Sequence, residues 1–173
     1  MKGLKQMKNA IYPGSFDPVT VGHLNIIRRA SEIFDHLTVC VMVNAGKNPM
    51  FTLEERVELI RRVTRDLPNV EVDASGELLA EYARKKGKCV IVKGLRAGSD
   101  FENEFQMAMI NRKINPRLDT LFLTADHQYM SLSSSTVKEL AAYNVDLSDF
   151  LPEQIIPDFL NRISTIYQGG NRK

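Results

Sequence analysis

Short apolar runs rich in β-branched residues alternate along this chain with segments whose apolar residues recur every three or four positions. The runs occupy residues 9–13, 37–43, 70–73, 89–92 and 119–123. The second run, LTVCVMV, has no charged residue, and such a strand is typical of a parallel sheet covered by helices on both faces. A helical segment follows each run, so the alternation predicts repeated βαβ units.

The helical segments carry their own start and stop signals. Apolar residues at 24, 27, 30 and 34 predict a first helix with one buried face. Thr52 and Glu55 form a capping box at the start of a second helix, and Gly87 is a left-handed cap for a helix over 78–86.

Three further helices complete the chain. A second capping box at 99–102 opens a helix that runs to about residue 113. Serines at 133–135 cap a helix that runs through 142. Pro152 is predicted as the first residue of a last helix, which runs to about residue 167.

These elements predict a Rossmann-like α/β fold: an open parallel five-stranded sheet with right-handed crossovers, helices on both faces and a C-terminal helix. The 173 residues suit a single domain over 1–173, with flexible tails expected at 1–8 and 168–173. In such folds ligands bind beyond the carboxyl ends of the strands, so the residues after each strand are the functional candidates.

Charge and composition exclude several classes of partner. Lys and Arg number 23 against 21 Asp and Glu, and this near-balance gives no reason to expect nucleic acid or a membrane as partner. No apolar run approaches the roughly 20 residues of a membrane span, and no signal peptide follows the basic N-terminus. Cys40 and Cys89 form no CxxC pair. We expect reduced core thiols in a cytoplasmic protein, with a disulfide or redox role as the alternative.

The run after the first strand, YPGSFDPVTVGH, is the most unusual segment of the chain. Gly14 lets the backbone approach a ligand, and Gly22 and His23 open the first helix. A helix N-terminus favours a phosphate, to which an imidazole can donate a hydrogen bond. A histidine in a first helical turn is often a surface or capping residue, but the surrounding run favours a functional His23.

Cations follow the second and fourth strands. Lys47 is either a solvated loop lysine or a ligand contact at the functional edge. Lys93, Gly94 and Arg96 follow an apolar strand, and phosphate binding is the favoured interpretation, since Arg offers a planar fork and Lys a compact charge. A structural ion pair with Asp100 or Glu102 is the alternative.

A cluster of serines, SLSSS, follows the fifth strand at another predicted helix N-terminus. Serines there are ordinarily caps with solvated hydroxyls. At this edge of the sheet, their hydroxyls and the helix N–H groups would also suit the β- and γ-phosphates of a nucleotide.

Together these motifs resemble one family over nearly the whole chain. The first run matches the GxFDPxxxGH signature of the nucleotidylyl transferase superfamily, whose T/HxGH element, here residues 20–23, contacts the triphosphate. YPGSFDPVTVGH, PMFTLEER, KGLRAGSDFENE, MINR, SLSSSTVKE and NVDLSDFLPE occur in the order and at the spacings of bacterial phosphopantetheine adenylyltransferases. The resemblance implies transfer of AMP from ATP to 4′-phosphopantetheine, giving dephospho-coenzyme A and pyrophosphate. It also implies Mg²⁺, coordinated through the ATP phosphates with no protein ligand, and a homohexamer.

The resemblance also implies roles for individual residues. His23, Lys47 and Arg96 would be catalytic, with His23 stabilising the transition state. The acceptor would contact Ser15, Lys47, Leu79 and Lys93. ATP would contact Ser15, Phe16, His23, Gly94, Leu95, Arg96, Glu104, Tyr129, Met130, Ser131, Leu132, Ser133, Ser134 and Ser135.

The chain departs from the family pattern at several of these places. Ser15 stands where Thr is frequent, which keeps the hydroxyl, and Lys93 stands where Arg is usual, which keeps the charge but loses the bidentate fork. Asn103 replaces a frequent Tyr, and residues 126–128 differ from the usual loop.

The implied reaction needs no nucleophilic side chain. The acceptor phosphate is largely ionised at neutral pH, so positioning and electrostatic stabilisation are expected to carry catalysis. Two alternatives stay open: a nucleotidylyl transferase for another small acceptor, such as nicotinate mononucleotide or glycerol phosphate, and a non-catalytic nucleotide-binding module. A class I aminoacyl-tRNA synthetase is excluded, because 173 residues leave no room for a tRNA-binding domain.

Overall fold

A computed structural model describes residues 8–43, 46, 48–96, 98–143 and 145–170, with the backbone alone at 98, 99 and 167–170. Its five strands are β1 (Asn9–Gly14), β2 (His36–Met42), β3 (Val70–Ser75), β4 (Cys89–Leu95) and β5 (Asp119–Thr124). They form one parallel sheet in the order β3-β2-β1-β4-β5. The order reverses between β1 and β4, which is where ligands bind in folds of this kind. The predicted open parallel five-stranded sheet is confirmed.

Six α-helices connect or follow the strands: α1 (Val21–Ile33), α2 (Leu53–Thr64), α3 (Leu79–Lys86), α4 (Gly98–Ile114), α5 (Ser134–Ala142) and α6 (Ile156–Gly170). Short 3₁₀ turns at His127–Tyr129 and Glu153–Ile155 precede α5 and α6. The predicted capping box of α2 is present, because Thr52 Oγ1 accepts from the Glu55 amide and Glu55 accepts from the Thr52 amide.

The core lies on both faces of the sheet. The larger cluster joins one face of the strands to α1, α2, α5 and α6, and its fully buried members include Ile27, Ile60 and Phe159. The smaller cluster joins the other face to α3, with Cys40, Ala80 and Ile91 at its centre. Because neighbouring strand residues point to opposite faces, Leu37 and Val39 belong to the larger cluster while Cys40 belongs to the smaller one.

β4 is longer than the sequence predicted, and this changes the position of two candidate residues. The strand was expected to end at 92, with Lys93 and Gly94 in the loop after it. Instead β4 runs to Leu95, because β5 pairs with it up to the Leu95–Thr124 partners. Lys93 and Gly94 therefore have strand geometry, and Arg96 is the first residue beyond the strand.

Several predicted helix ends are also wrong in detail. α4 begins at Gly98, so Ser99 lies inside the helix rather than capping it. Pro152 has an extended ψ of 133° and precedes a 3₁₀ turn, so α6 begins only at Ile156. Gly87 has the expected positive φ of 86°, but its ψ of −146° lies outside the left-handed helical region.

The structure describes parts of both expected tails. α6 continues to Gly170, so residues 168–170 are helical. The backbone N–H of Lys8 donates to Asp35 over 2.9 Å, and its carbonyl accepts from the Asp35 amide. Among the described residues, no helix combines the length and the apolar character needed to cross a lipid bilayer.

Candidate functional site

The loop after β1 is shaped by a close approach between Gly14 and Phe16. A Cβ atom on Gly14 would lie 2.8 Å from the Phe16 ring, so only glycine fits there without displacing the ring. Phe16 itself has a φ of 46°, which is uncommon for a residue with a side chain, and its ring is buried. Its neighbour Ser15 is exposed. The loop therefore buries one predicted ligand residue and presents the other to solvent.

His23 is held at the start of α1 by a capping box of unusual composition. Thr20 is the N-cap, and its hydroxyl accepts from the His23 amide over 3.3 Å. In return, the backbone N–H of Thr20 donates to His23 Nδ1 over 3.0 Å. Because a backbone N–H can only donate, Nδ1 must carry a lone pair. His23 is therefore neutral, with its proton on Nε2.

The surroundings of His23 favour this neutral form. Burial lowers the pKa of His23 to about 4, and the positive charge of Arg96 contributes in the same direction. The Phe16 ring packs edge-on against the imidazole, with 5.2 Å between the ring centroids. No described residue accepts a hydrogen bond from Nε2, so this N–H is available to a ligand. The functional and capping interpretations of His23 are thus compatible, since one nitrogen caps the helix and the other remains a donor.

Arg96 connects three elements at the carboxyl edge of the sheet: the end of β4, helix α4 and the loop before α5. Its side chain pairs with Asp100, with Nε 2.8 Å from one carboxylate oxygen, and it donates to the Leu132 carbonyl over 2.9 Å. The ion pair with Asp100 is the structural alternative raised from the sequence, and the structure contains it. The same pair fixes the guanidinium between the end of β4 and the loop before α5.

Lys93 is also paired within the protein. Its ammonium lies 3.1 Å from Glu104 on α4, and both side chains are less than one-third exposed. The next residue, Gly94, packs closely on α1, because a Cβ there would lie 3.0 Å from Ile26. Leu95 accepts from the Ala125 amide over 2.7 Å, which ties the strand end to the loop after β5.

The predicted serine segment reaches the same edge. Ser133 caps α5, with its hydroxyl accepting from the Thr136 amide over 3.0 Å. Ser134 donates its hydroxyl to the Pro18 carbonyl over 2.8 Å. The loop before α5 also lies against the start of α1, since a Cβ on Gly22 would be 3.4 Å from Tyr129 Cβ. Met130, Ser131 and Ser135 are exposed at this edge.

Two candidates are not joined to this group by any described contact. Leu79 is the first residue of α3 and packs against the smaller core cluster, on the other face of the sheet from His23. Lys47 lies outside the described residues.

The structure thus joins His23 to Phe16 by ring contact, Arg96 to Leu132 by a hydrogen bond, and Ser134 to the loop after β1.

Sequence reasoning missed three residues that hold this site, namely Asp17, Lys138 and Arg56. Asp17 accepts from the backbone of residues 50 and 51 and pairs with Lys138. Arg56 is buried and donates to the Ser15 carbonyl over 2.9 Å. All three lie within motifs that were recognised, but only the folded chain brings their partners, which are 33 to 121 residues away, into contact.

Comparison with known proteins identifies the family. A family model described as cytidylyltransferase-like matches residues 11–140. The phosphopantetheine adenylyltransferase of Alkaliphilus metalliredigens is 57% identical over 150 residues, which cover 87% of this chain and 96% of that protein. The corresponding protein of Clostridium kluyveri is 50% identical over 162 residues, covering 94% and 99% of the two chains.

A solved structure supports the fold alone. A protein from Vibrio parahaemolyticus, assigned as a nicotinate-nucleotide adenylyltransferase, matches 91% of this chain and 94% of its own with a TM-score of 0.68 at 19% identity. That similarity confirms the Rossmann-like architecture. The sequence comparisons identify the family to which the chain belongs. The chain belongs to the phosphopantetheine adenylyltransferase family, within the cytidylyltransferase-like group of proteins.

Proposed function

We propose that the protein, acting as one domain over 1–173, transfers AMP from ATP to 4′-phosphopantetheine and releases pyrophosphate. Relatives of that name align along nearly their whole length with this chain. The observation that carries the proposal is the neutral His23, whose Nε2–H donor is held beside Arg96 where the strand order reverses. This edge presents donors to two anionic substrates, and the reaction needs no nucleophile from the protein.

The chemistry is an in-line displacement. An oxygen of the acceptor phosphate forms a bond to the α-phosphorus of ATP as the bond to the bridging oxygen breaks, and that oxygen leaves with pyrophosphate. The nucleophile is already an anion, so a general base adds little. The role proposed for His23 is to donate Nε2–H to the α-phosphoryl oxygens, where negative charge must be stabilised in the transition state.

The edge divides into two regions in this proposal. The ATP region contains the loop after β1, the end of β4 and the start of α5, with Ser15, Phe16, Gly94, Leu95, Arg96, Glu104 and residues 129–135 as its contacts. N–H groups at the start of α5 suit the distal phosphates. The acceptor region contains Ser15, Lys47, Leu79 and Lys93, with the lysines binding the phosphate.

Mg²⁺ is proposed to enter with ATP. The ion commonly keeps several waters and binds through substrate phosphates rather than an all-protein cage. Across the described residues, no group of three or more His, Cys, Asp and Glu could hold a metal. The carboxylates at this edge face cations: Asp17 faces Lys138, Asp100 faces Arg96 and Glu104 faces Lys93. This fits a metal held by the phosphates, where it would supply charge neutralisation of the leaving pyrophosphate.

The test is pyrophosphate release by purified protein with ATP, Mg²⁺ and 4′-phosphopantetheine. We expect release that requires the acceptor and yields dephospho-coenzyme A. Turnover with nicotinate mononucleotide or glycerol phosphate instead would reassign the acceptor. ATP binding without turnover on any of these acceptors would support a non-catalytic nucleotide-binding module.

The proposal includes a homohexamer in the cytoplasm. α4 exposes Phe101, Phe105, Met107, Met109 and Ile110, each at least 44% accessible. Exposed apolar patches of this kind mark protein–protein contacts. The two cysteines are buried free thiols, which suits a reducing compartment.

The assembly is tested by mass in solution. Phe105→Glu should shift the protein from hexamer to smaller species in light scattering. Ile33→Glu is the matched control, because it replaces a similarly exposed apolar helical residue at the end of α1 and should leave the mass unchanged. A monomeric wild-type protein would refute the hexamer.

A further inference from the structure

Asp17 is a buried carboxylate that receives three donors. Only 7% of the residue is exposed. One oxygen accepts from the Met50 amide and the other from the Phe51 amide, both over 2.9 Å. The ammonium of Lys138 pairs with the same carboxylate. Two of the contacts come from the adjacent residues 50 and 51 and the third comes from α5, so Asp17 joins these two segments to its own loop.

Those three segments border the proposed substrate regions. Asp17 itself lies in the loop after β1, next to Phe16. Met50 and Phe51 lie between β2 and α2, and we call this segment the acceptor side because it follows Lys47, a proposed acceptor contact, in the sequence. Lys138 lies in α5, one turn from the helix N-terminus proposed to bind the distal phosphates of ATP.

The neighbours of Asp17 are fixed as well. Arg56, from α2, donates to the Ser15 carbonyl over 2.9 Å, and Ser134 donates to the Pro18 carbonyl over 2.8 Å. The loop is therefore attached to α2 on one side and to α5 on the other. Asp17 adds hydrogen bonds to the segment before α2 and an ion pair with α5.

Burial makes this carboxylate sensitive to the loss of a partner. An exposed ion pair contributes little, because water solvates both charges. A buried carboxylate that loses its cation remains as an uncompensated charge, and the surrounding structure must open to solvate it. Loss of Lys138 should therefore displace α5 relative to the loop rather than merely remove one contact.

We propose that Asp17 is a positioning residue, which fixes the ATP-phosphate region at the start of α5 relative to the acceptor side at residues 50–51. The inference rests on the proposed adenylyl transfer, because it concerns how the two anions are aligned. In-line displacement is sensitive to such alignment, and a misplacement of about 1 Å can cost on the order of 100-fold in rate.

The first test uses Lys138→Met, which removes the charge but keeps a side chain of similar length. We expect kcat/KM for ATP to fall by roughly 10- to 100-fold, and Lys138→Arg to restore most of it. Arg62→Met is the matched control, because it breaks an ion pair between α2 and α6 that is away from the loop after β1. The control should keep kcat/KM.

A double-mutant cycle distinguishes positioning from direct contact of Lys138 with phosphate. If Lys138 acts through Asp17, Asp17→Asn combined with Lys138→Met should be no worse than the more damaging single variant. Additive losses in the double variant would overturn the inference, as would a Lys138→Met variant with unchanged kcat/KM.

Amide hydrogen exchange gives a readout that is independent of activity. Exchange at Met50 and Phe51 should accelerate more in Asp17→Asn, which weakens their acceptor, than in Lys138→Met, which keeps the carboxylate. Equal protection in Asp17→Asn and wild type would overturn the inference. A wild-type protein without turnover would instead refute the proposed function and leave the exchange result to decide the role of Asp17.

Discussion

The backbone N–H of Thr20 donates to His23 Nδ1 across 3.0 Å, and this one contact determines which ring nitrogen carries the proton. A capping box normally uses a Glu or Gln at its third helical position. Here an imidazole lone pair has that role, so the signal for the start of α1 and the donor proposed for catalysis come from the same residue. Protonation of Nδ1 would break the capping contact.

The protonation state of His23 is the most direct prediction. Nitrogen-15 NMR of histidine-labelled protein should show His23 as the neutral Nε2–H form at pH 7 and still neutral at pH 5, because its pKa is lowered to about 4. His23→Gln assigns the signal among the three histidines. A neutral Nδ1–H form, or an imidazolium at pH 6, would show that the Thr20 contact does not hold in solution.

The same shift predicts how stability depends on pH. The unfolded chain takes up a proton at His23 near pH 6.5, while the folded chain resists protonation down to about pH 4. The folded state is therefore destabilised as the pH falls from 6.5 towards 4, by about 2 kcal/mol at pH 5. Urea denaturation at pH 7 and pH 5 should show a larger loss for wild type than for His23→Gln.

Kinetics of His23 variants test the proposed donor. In His23→Ala, kcat should fall by about 10²–10³ while the affinities for both substrates are nearly kept, since the donor acts mainly in the transition state. His23→Gln retains an acceptor for the capping box. Because Gln also has an amide N–H donor, a kcat lost in both variants follows from replacing the imidazole rather than from fraying of α1, and an unchanged kcat in His23→Ala would refute the role.

Lys93 should affect the acceptor more than ATP. Its ammonium is paired with Glu104 over 3.1 Å, so an incoming phosphate would compete with or join an existing ion pair. Calorimetry of Lys93→Ala should show weaker 4′-phosphopantetheine binding and a smaller change for ATP, with Lys85→Ala as an exposed control. Lys93→Arg asks whether a bidentate fork increases affinity at this position. Weaker ATP binding alone would assign Lys93 to the other substrate.

Local patterns predicted much of the fold, whereas contacts that depend on the folded chain were not predictable. The alternation of strands and helices, and the capping residues Thr52 and Ser133, are signals within a few positions, and the structure contains them. The extension of β4 depends on its pairing with β5, which no residue in 93–95 reveals. Asp17 and Lys138 are 121 residues apart, so their pairing required the completed fold.

Gly14 provides a test of how the Phe16 ring supports the site. Its backbone has no positive φ, so the effect of Gly14→Ala is steric: the new methyl group would lie 2.8 Å from the ring and force it to move. Overpacking of this kind typically costs about 1–3 kcal/mol. Because the ring packs against His23, kcat/KM should fall together with the melting temperature.

Gly76→Ala is the matched control, since nothing lies within 4 Å of its added Cβ and both properties should be kept. Adding Phe16→Leu to Gly14→Ala makes room for the methyl group and should recover stability but not full activity, whereas an active and stable Gly14→Ala would show that the ring can shift without disturbing the imidazole.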